Sequence, residues 1–382
     1  MNPLQNCNTA GTRRAKIAFL YLGRSPAFSG FVVELAEAID DRADIDALFI
    51  VADHTELCRQ LTTAGVAVEP VETFYRRNLA HVALGFVGAR RRILRLLADV
   101  KPAAVVTLMP HIWSPLLTPQ IKRLGIPYAT IVHDAEPHPG DPTARVTRWL
   151  VKDASHADIV FTLSRTVAAQ LSAKRALANT KFVQLFHPDL TSGGRGAKRK
   201  RDPAAPFRLL FFGRIMAYKG LSVLIDAIRL ARSQGVDIHL SVAGAGNLDS
   251  MVANLKEIRA EVINKWLAAE EVKALLSRHD AMACAHVEAS QSGVAALAFG
   301  CAMPVIAMPV GGIAEQVIDG QTGVLARDIS APALAEAITR IVTEPGLYEH
   351  INANLIETAS TRSMDRFVEE MTSAFSLPAA RP

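Results

Sequence analysis

Cysteine is scarce in this chain: four in 382 residues, at Cys7, Cys58, Cys284 and Cys301. None stands in a C-x-x-C pair or at a metal-binding interval from histidine. A disulfide framework and a structural zinc site are therefore not expected, which fits a reducing cytoplasm. Charge of one sign is also lacking. The net charge of +5 comes from arginine clusters rather than a basic background. It permits contact with anionic lipid or nucleotides and does not imply nucleic acid. The first residues, MNPLQNCNTAGTRR, have no apolar signal core, and the run Lys16 to Leu22 is only strand length. Ala295 to Ala314 is uncharged and long enough to span a bilayer. It contains Pro304, Pro309 and three glycines, however, and reads as helix, strand and turn.

What is present is alternation. A length of 382 residues, half of them hydrophobic, suits two domains with separate cores. The first half predicts strands at Lys16–Leu22, Asp46–Ala52, Val66–Val71, Ala103–Leu108, Tyr128–His133, Asp158–Leu163 and Phe182–Phe186. Helices such as Gly30–Ile39 and Pro142–Ala154 fall between them. That pattern gives a parallel sheet covered on both faces. The stretch 191–206, with GGRGAKRKRDPAAP at its core, is Gly-, Pro- and Lys/Arg-rich and reads as an exposed linker. Its KRKR cluster is either a solvated loop or an anionic-lipid contact. Alternation restarts with a strand at Phe207–Gly213, a helix at Lys219–Ser233 and a strand at Ile238–Ala243. Near the end, Met364, Phe367, Val368, Met371 and Phe375 form a helical stripe seeking a groove.

The second half centres on Ala281 to Gly312, AMACAHVEASQSGVAALAFGCAMPVIAMPVGG. A buried strand leads to a loop containing Glu288. Gln291, Ser292 and Gly293 then open an apolar helix, and a second strand follows. A small, polar helix start at a strand's carboxyl end is where an α/β sheet binds anions. No charged residue follows Glu288 until Glu315. One acid beside free N–H groups suits a site that grips hydroxyls and a phosphate. Upstream, in FFGRIMAYKG, a strand ends at Gly213, and Arg214 and Lys219 follow before a helix. Arginine offers a planar fork and lysine a point charge, a pair that fits a diphosphate.

These residues resemble the donor site of retaining GT-B glycosyltransferases of family four, the group 1 transferases. The resemblance lies in G-R-x4-K-G at Gly213 to Gly220, in E-A-S-Q-S-G-V from Glu288, and in Pro304-Val305-Ile306-Ala307 with Gly311 and Gly312. It spans most of the chain and is strongest from Phe207 to Leu325. The family's second Glu is missing: counting forward from Glu288 reaches Ala296, and counting back from Pro304 reaches Leu297. The resemblance implies an α/β fold of two Rossmann-like domains facing a central cleft. The expected domains are 1–190 on the acceptor side, the 191–206 linker, 207–360 for the nucleotide sugar, and 361–382 crossing back. It implies that His133, at a strand end, touches the donor sugar. It also implies that Gly244, in VAGAGN, bounds the nucleotide pocket, and that Lys265 and Trp266 sit by the base. Trp266 would either stack there or pack in the core. His138, between two prolines, either binds substrate or braces its loop. Gly30, at the first helix start, either admits acceptor or phosphate or is a plain turn.

Two further patterns deserve an expectation. Asp44-Ile45-Asp46 mimics a metal-binding D-x-D but leads into a strand, so no metal is expected. The segment Phe74 to Val100 carries Arg76, Arg77, Arg90, Arg91, Arg92 and Arg95 beside Leu84, Phe86, Val87, Ile93, Leu94, Leu96 and Leu97. It is either a membrane-surface helix or a helix packed on the first sheet. The reading overall is a glycosyltransferase acting on a UDP- or GDP-sugar. Its acceptor is a saccharide or lipid-linked saccharide, and it needs no cofactor beyond the donor as substrate. It would be cytoplasmic, at or near the inner membrane face, and make polysaccharide or glycolipid. Arg214, Lys219 and the Ser292 and Gly293 amides would stabilise the leaving diphosphate, and Glu288 would orient the sugar. A catalytically inactive sugar-nucleotide-binding protein of the same fold is the alternative, prompted by the missing second Glu.

Overall fold

The computed structural model describes residues 14–74, 79–137 and 144–375. Cys7, Arg76, Arg77 and His138 lie outside the described residues. The first half forms a sheet from β1 (Ala15–Tyr21), β2 (Ile45–Ala52), β3 (Val68–Val71), β4 (Ala104–Thr107), β5 (Tyr128–Val132), β6 (Ile159–Thr162) and β7 (Lys181–Gln184). Their order is β3-β2-β1-β4-β5-β6-β7, with every pairing parallel. The second half forms a sheet from β8 (Phe207–Phe212), β9 (Ile238–Ala243), β10 (Glu261–Ile263), β11 (Ala281–Cys284), β12 (Val305–Ala307) and β13 (Gly323–Leu325). Here the order is β10-β9-β8-β11-β12-β13, again all parallel. The central strands are covered on both faces, so they read as unbroken apolar runs; every residue of β4, β5, β6 and β11 is buried. Strand order reverses between β1 and β4 and between β8 and β11. Each reversal opens a crevice at the strands' carboxyl ends.

The two crevices face each other and are in contact. Ser164, just after β6, donates through Oγ to Ser290 O at 2.9 Å. The Glu315 carboxylate accepts from the amides of Arg165 and Thr166 at 2.7 and 2.8 Å and from Thr166 Oγ1 at 2.7 Å. It thereby caps the Arg165–Ser172 helix of the opposite sheet. On the far side of the hinge, Glu34 accepts the amides of Thr191 and Ser192. The terminal helix Met364–Ser373 lies on the first domain. Met364, Phe367, Val368, Met371 and Phe375 are buried there with Phe31, Leu35 and Phe161.

The linker departs from expectation. It has no regular element, but it is not a solvated tether. Arg199 donates to the carbonyls of Cys301, His279 and Leu276 at 3.2, 2.8 and 3.0 Å. Arg201 donates to Val342 O at 3.1 Å and lies over the Phe207 ring. Lys198 and Lys200 remain exposed. Successive side chains of extended backbone point opposite ways. Half of the KRKR cluster therefore ties carbonyls of the second domain, and only the other half faces water.

Candidate active site

The site is assembled from strand ends of both sheets. Beyond β8 and β9, the turns at Gly213 and Gly244 touch. A Cβ on Gly244, whose φ is +143°, would lie 2.0 Å from Gly213 O, so only glycine fits. Asn264 clamps this turn, accepting from Gly246 N at 3.1 Å and donating to Gly246 O at 3.0 Å. Arg214 is exposed and Lys219 half-buried. The Lys219 ammonium lies 3.1 Å from where a Gly213 Cβ would stand, at the mouth of the turn. Neither cation has a hydrogen bond or ion pair among the described residues. Burial pushes the Lys219 ammonium down to about 8; the Arg214 charge adds to this and Cys284 opposes it. A half-buried lysine short of a counter-charge is a site prepared for an anion.

Beyond β11, Glu288 is half-buried in the loop that crosses towards the first domain. The next residues make the cleft floor. Ser292 Oγ accepts from Ala295 N at 3.2 Å, an N-cap for the Gly293–Gly300 helix. The sequence reading gave the free amides as Ser292 and Gly293, and this needs correction. The Ser292 amide donates to Gln316 Oε1 at 2.7 Å. The amides without a partner among the described residues are those of Gly293 and Val294, the first two positions of the helix.

His133, at the end of β5, is buried. Its Nε2 lies 2.9 Å from Leu108 O. A carbonyl only accepts, so Nε2 carries the hydrogen and Nδ1 the lone pair. Gln291 Nε2 donates to that lone pair at 3.1 Å. Burial lowers the His133 pKa and keeps the ring neutral. Phe28 packs edge-on against it. Both ring nitrogens are thus engaged in this conformation, and contact with a sugar requires the Gln291 amide to swing away. The Gln291 Oε1 is buried without a partner among the described residues.

The remaining candidates fall around this centre. Trp266 is 52% exposed, so it is not a core residue; its face is open. Lys265 pairs with Glu271 at 2.6 Å. Gly30 faces the linker, where a Cβ would meet Ser192 Oγ at 3.3 Å. Asp44 pairs with Arg42 and Asp46 with Lys16, at the amino end of β2 and away from the cleft. Among the described residues no cluster of three or more His, Cys, Asp or Glu could hold a metal ion.

Three residues between the domains were not anticipated, and one of them lines the cleft. His187, three residues past β7, is buried, and its Nε2 lies 3.5 Å from where a Gly293 Cβ would stand. The signal was available: His187-Pro188 at the carboxyl end of a strand repeats the context of His133. Glu315 and Ser164 also escaped notice, because residues that clamp one domain on the other leave no local pattern.

Two family models match. One, described as glycosyl transferases group 1, covers residues 206–344, and one, described as glycosyl transferase 4-like domain, covers residues 30–185. A D-inositol 3-phosphate glycosyltransferase of Actinosynnema mirum is 30% identical over 323 residues, 74% of this chain and 75% of that protein. The namesake from Thermobifida fusca is 25% identical over 92% of this chain and 89% of its own. That of an Arthrobacter species is 28% identical, but the match covers only 44% of this chain and 40% of the relative. Among solved structures, Anabaena HepE in complex with UDP and glucose superposes with a TM-score of 0.71 at 18% identity, covering 95% of this chain and 100% of that one. Sucrose-phosphate synthase from Thermosynechococcus elongatus gives 0.72 at 16% identity, covering 95% and 98%. The structural likeness gives the GT-B fold, two Rossmann-like domains about a cleft. With both halves matched and three quarters of a 30%-identical relative covered, the chain belongs to the group 1 glycosyltransferases and is an enzyme of glycosyl transfer.

Proposed function

We propose that the protein transfers a sugar from a nucleoside diphosphate donor to an acceptor hydroxyl with retention of configuration, in polysaccharide or glycolipid synthesis. The observation that carries this reading is the uncompensated positive potential at one point. Lys219, Arg214 and the Gly293 and Val294 amides are all without partners among the described residues. They border the same crevice between β8 and β11. Charge develops on the leaving diphosphate in the transition state, and donors fixed beforehand stabilise it without reorganising. Glu288 accepts from sugar hydroxyls and orients the ring. Gly244 and the exposed face of Trp266 border the nucleoside, and no cofactor enters. HepE was solved with UDP and with UDP-glucose, which favours a uridine donor over a guanosine one.

The acceptor side is the first domain. A cavity of about 680 Å³ beyond β3 is lined by Phe74, Leu84, Gly85, Gly88 and Arg92, a mixed surface suited to a saccharide with an apolar tail. The helix Leu79–Val100 buries Ile93 and Leu97 against the sheet. Its opposite stripe, Leu84, Val87, Arg91 and Arg95, is exposed at helical spacing and fits an anionic lipid surface. Among the described residues no helix is long and apolar enough to cross a membrane.

A second reading, an inactive sugar-nucleotide binder, draws on Ala296 and Leu297. Both are buried where the family's second Glu would fall. A thermal-shift panel of UDP-, GDP- and ADP-sugars, followed by nucleotide-release assays with the donors that bind, separates the two. Turnover supports the transferase. Binding without turnover for every such donor, with saccharide and lipid-linked acceptors supplied, supports the binder.

A further inference from the structure

His187 has a hydrogen-bonding arrangement that neither the family resemblance nor the sequence reading assigns. It lies between the domains, on the segment leaving β7, and is 9% exposed. Its Nδ1 is 2.9 Å from Pro188 O. The carbonyl can only accept, so Nδ1 holds the hydrogen and Nε2 holds a lone pair. That lone pair finds no donor among the described residues. Burial, the largest influence, pushes the imidazole down to about 4, although the Pro188 carbonyl pulls the other way. The ring is therefore neutral at any physiological pH and cannot neutralise a phosphate. Phe31 packs edge-on against it, with ring centroids 6.0 Å apart, and restricts its rotation. Nε2 stands at the first residue of the Gly293–Gly300 helix. The two free amides of that helix start are donors. His187 thus adds a fixed acceptor beside two fixed donors.

Nε2 is not sealed from solvent, so a ligand donor there displaces a water rather than filling an unmet need. The ligand group must carry a hydrogen, must be neutral or nearly so, and must lie next to an anion held by the amides. A sugar hydroxyl on the carbon framework attached to a diphosphate meets all three conditions. We infer that His187 is a sugar-reading residue: Nε2 accepts a hydrogen bond from a hydroxyl of the transferred sugar while the Gly293 and Val294 amides hold the adjoining phosphate. This rests on the nucleotide-sugar reading above. It adds a contact from the interdomain segment, so that donor recognition is completed by the hinge and not by the second domain alone.

The test compares His187→Phe, which keeps the ring and removes both nitrogens, with His187→Gln, which restores an acceptor oxygen. Titration calorimetry with UDP and with UDP-glucose is the first measurement, and GDP with GDP-mannose replaces the pair if wild type binds only that. Expected for His187→Phe is unchanged affinity for the free nucleotide and about tenfold weaker affinity for the sugar nucleotide, with partial recovery in His187→Gln. Equal losses for both ligands, or none, overturn the assignment. A second arm measures turnover against acceptor concentration. A rise confined to the acceptor KM would mean that the hydroxyl belongs to the incoming acceptor, which also overturns it. Circular dichroism and thermal melting identify a variant that fails to fold; His187→Gln then carries the test alone, and a change in its ratio of sugar-nucleotide to nucleotide affinity is the required result. If wild type binds no nucleotide sugar at all, the reading of the whole cleft fails, an outcome distinct from failure at His187.

Discussion

Lys219→Met should make the protein more stable and less able to bind its donor, and the balance between the two can be worked out. The ammonium is pushed from 10.5 to about 8, chiefly by burial. If that whole difference were retained it would be worth roughly 3 kcal/mol. Lys219 is partly open to solvent, which screens and relaxes the charge, so about 1–2 kcal/mol is the working figure. The sign follows from proton linkage. Below about pH 8 both the folded and the unfolded chain hold this proton, and the folded state carries the full cost of the buried charge. Between about 8 and 10.5 the unfolded chain binds more protons than the folded one, so this group's contribution to stability rises with pH. Methionine has similar length and no charge, so the variant should gain about 1–2 kcal/mol at pH 7 and nothing by pH 10.5. Urea unfolding at the two pH values reads the difference. UDP titration should meanwhile show wild-type affinity falling as pH passes through about 8, and a flat, weak response in the variant. A variant that is destabilised at pH 7, or whose stability difference is the same at both pH values, refutes the argument that the lysine is held in readiness for an anion.

Three other outcomes follow from the same geometry. Arg214→Ala removes a charge-assisted contact to the diphosphate, and donor affinity should fall by about 1.5–3 kcal/mol with little change in melting temperature; equal affinity for wild type and variant counts against the clamp. Glu288→Gln keeps the shape of the acid and removes its charge, so nucleotide release should slow far more than donor binding weakens, and full activity would show that another group orients the sugar. Replacing Arg91 and Arg95 by Gln should weaken binding to vesicles containing anionic lipid at low salt and leave soluble-donor binding alone; no binding by wild type removes the membrane reading.

Much of the fold was legible because a strand covered on both sides has to be apolar at every position. Ile17 to Tyr21 and Ala281 to Cys284 announce themselves for that reason. The edge strands β10 and β13 do not. Each has three residues, and β10 carries Glu261, which bonds Ser241 and Arg278. The polar landmarks of the cleft were legible as residue types at strand ends: Arg214, Lys219, Glu288 and the small residues after it. Their state was not. Nothing in the spacing says that the Ser292 amide is already taken by Gln316, or that His133 is saturated by Leu108 and Gln291. The linker misled because lysine and arginine look alike in a charge count, whereas a guanidinium can satisfy several carbonyls at once and an ammonium prefers water. Arg199 does the former and Lys200 the latter.

The missing second carboxylate and the tight linker belong to one packing arrangement. The segment leaving the first domain runs along the Gly293–Gly300 helix. The Leu190 amide donates to Ala296 O at 3.1 Å. A Cβ on Gly300 would sit 1.9 Å from Leu190 O. Ala296 is fully buried and Leu297 nearly so. An unpaired carboxylate at either position would be taken out of water, at a cost of several kcal/mol. Where the family carries a glutamate, this helix has two apolar side chains, and its backbone meets the hinge. That contact is what carries His187 to the helix's first turn. The polar group lost from the middle of the helix is therefore matched by one brought to its start from the other domain. Donor recognition is thereby tied to the relative position of the two domains, because His187 and Gly293 meet only while the linker stays seated on the helix.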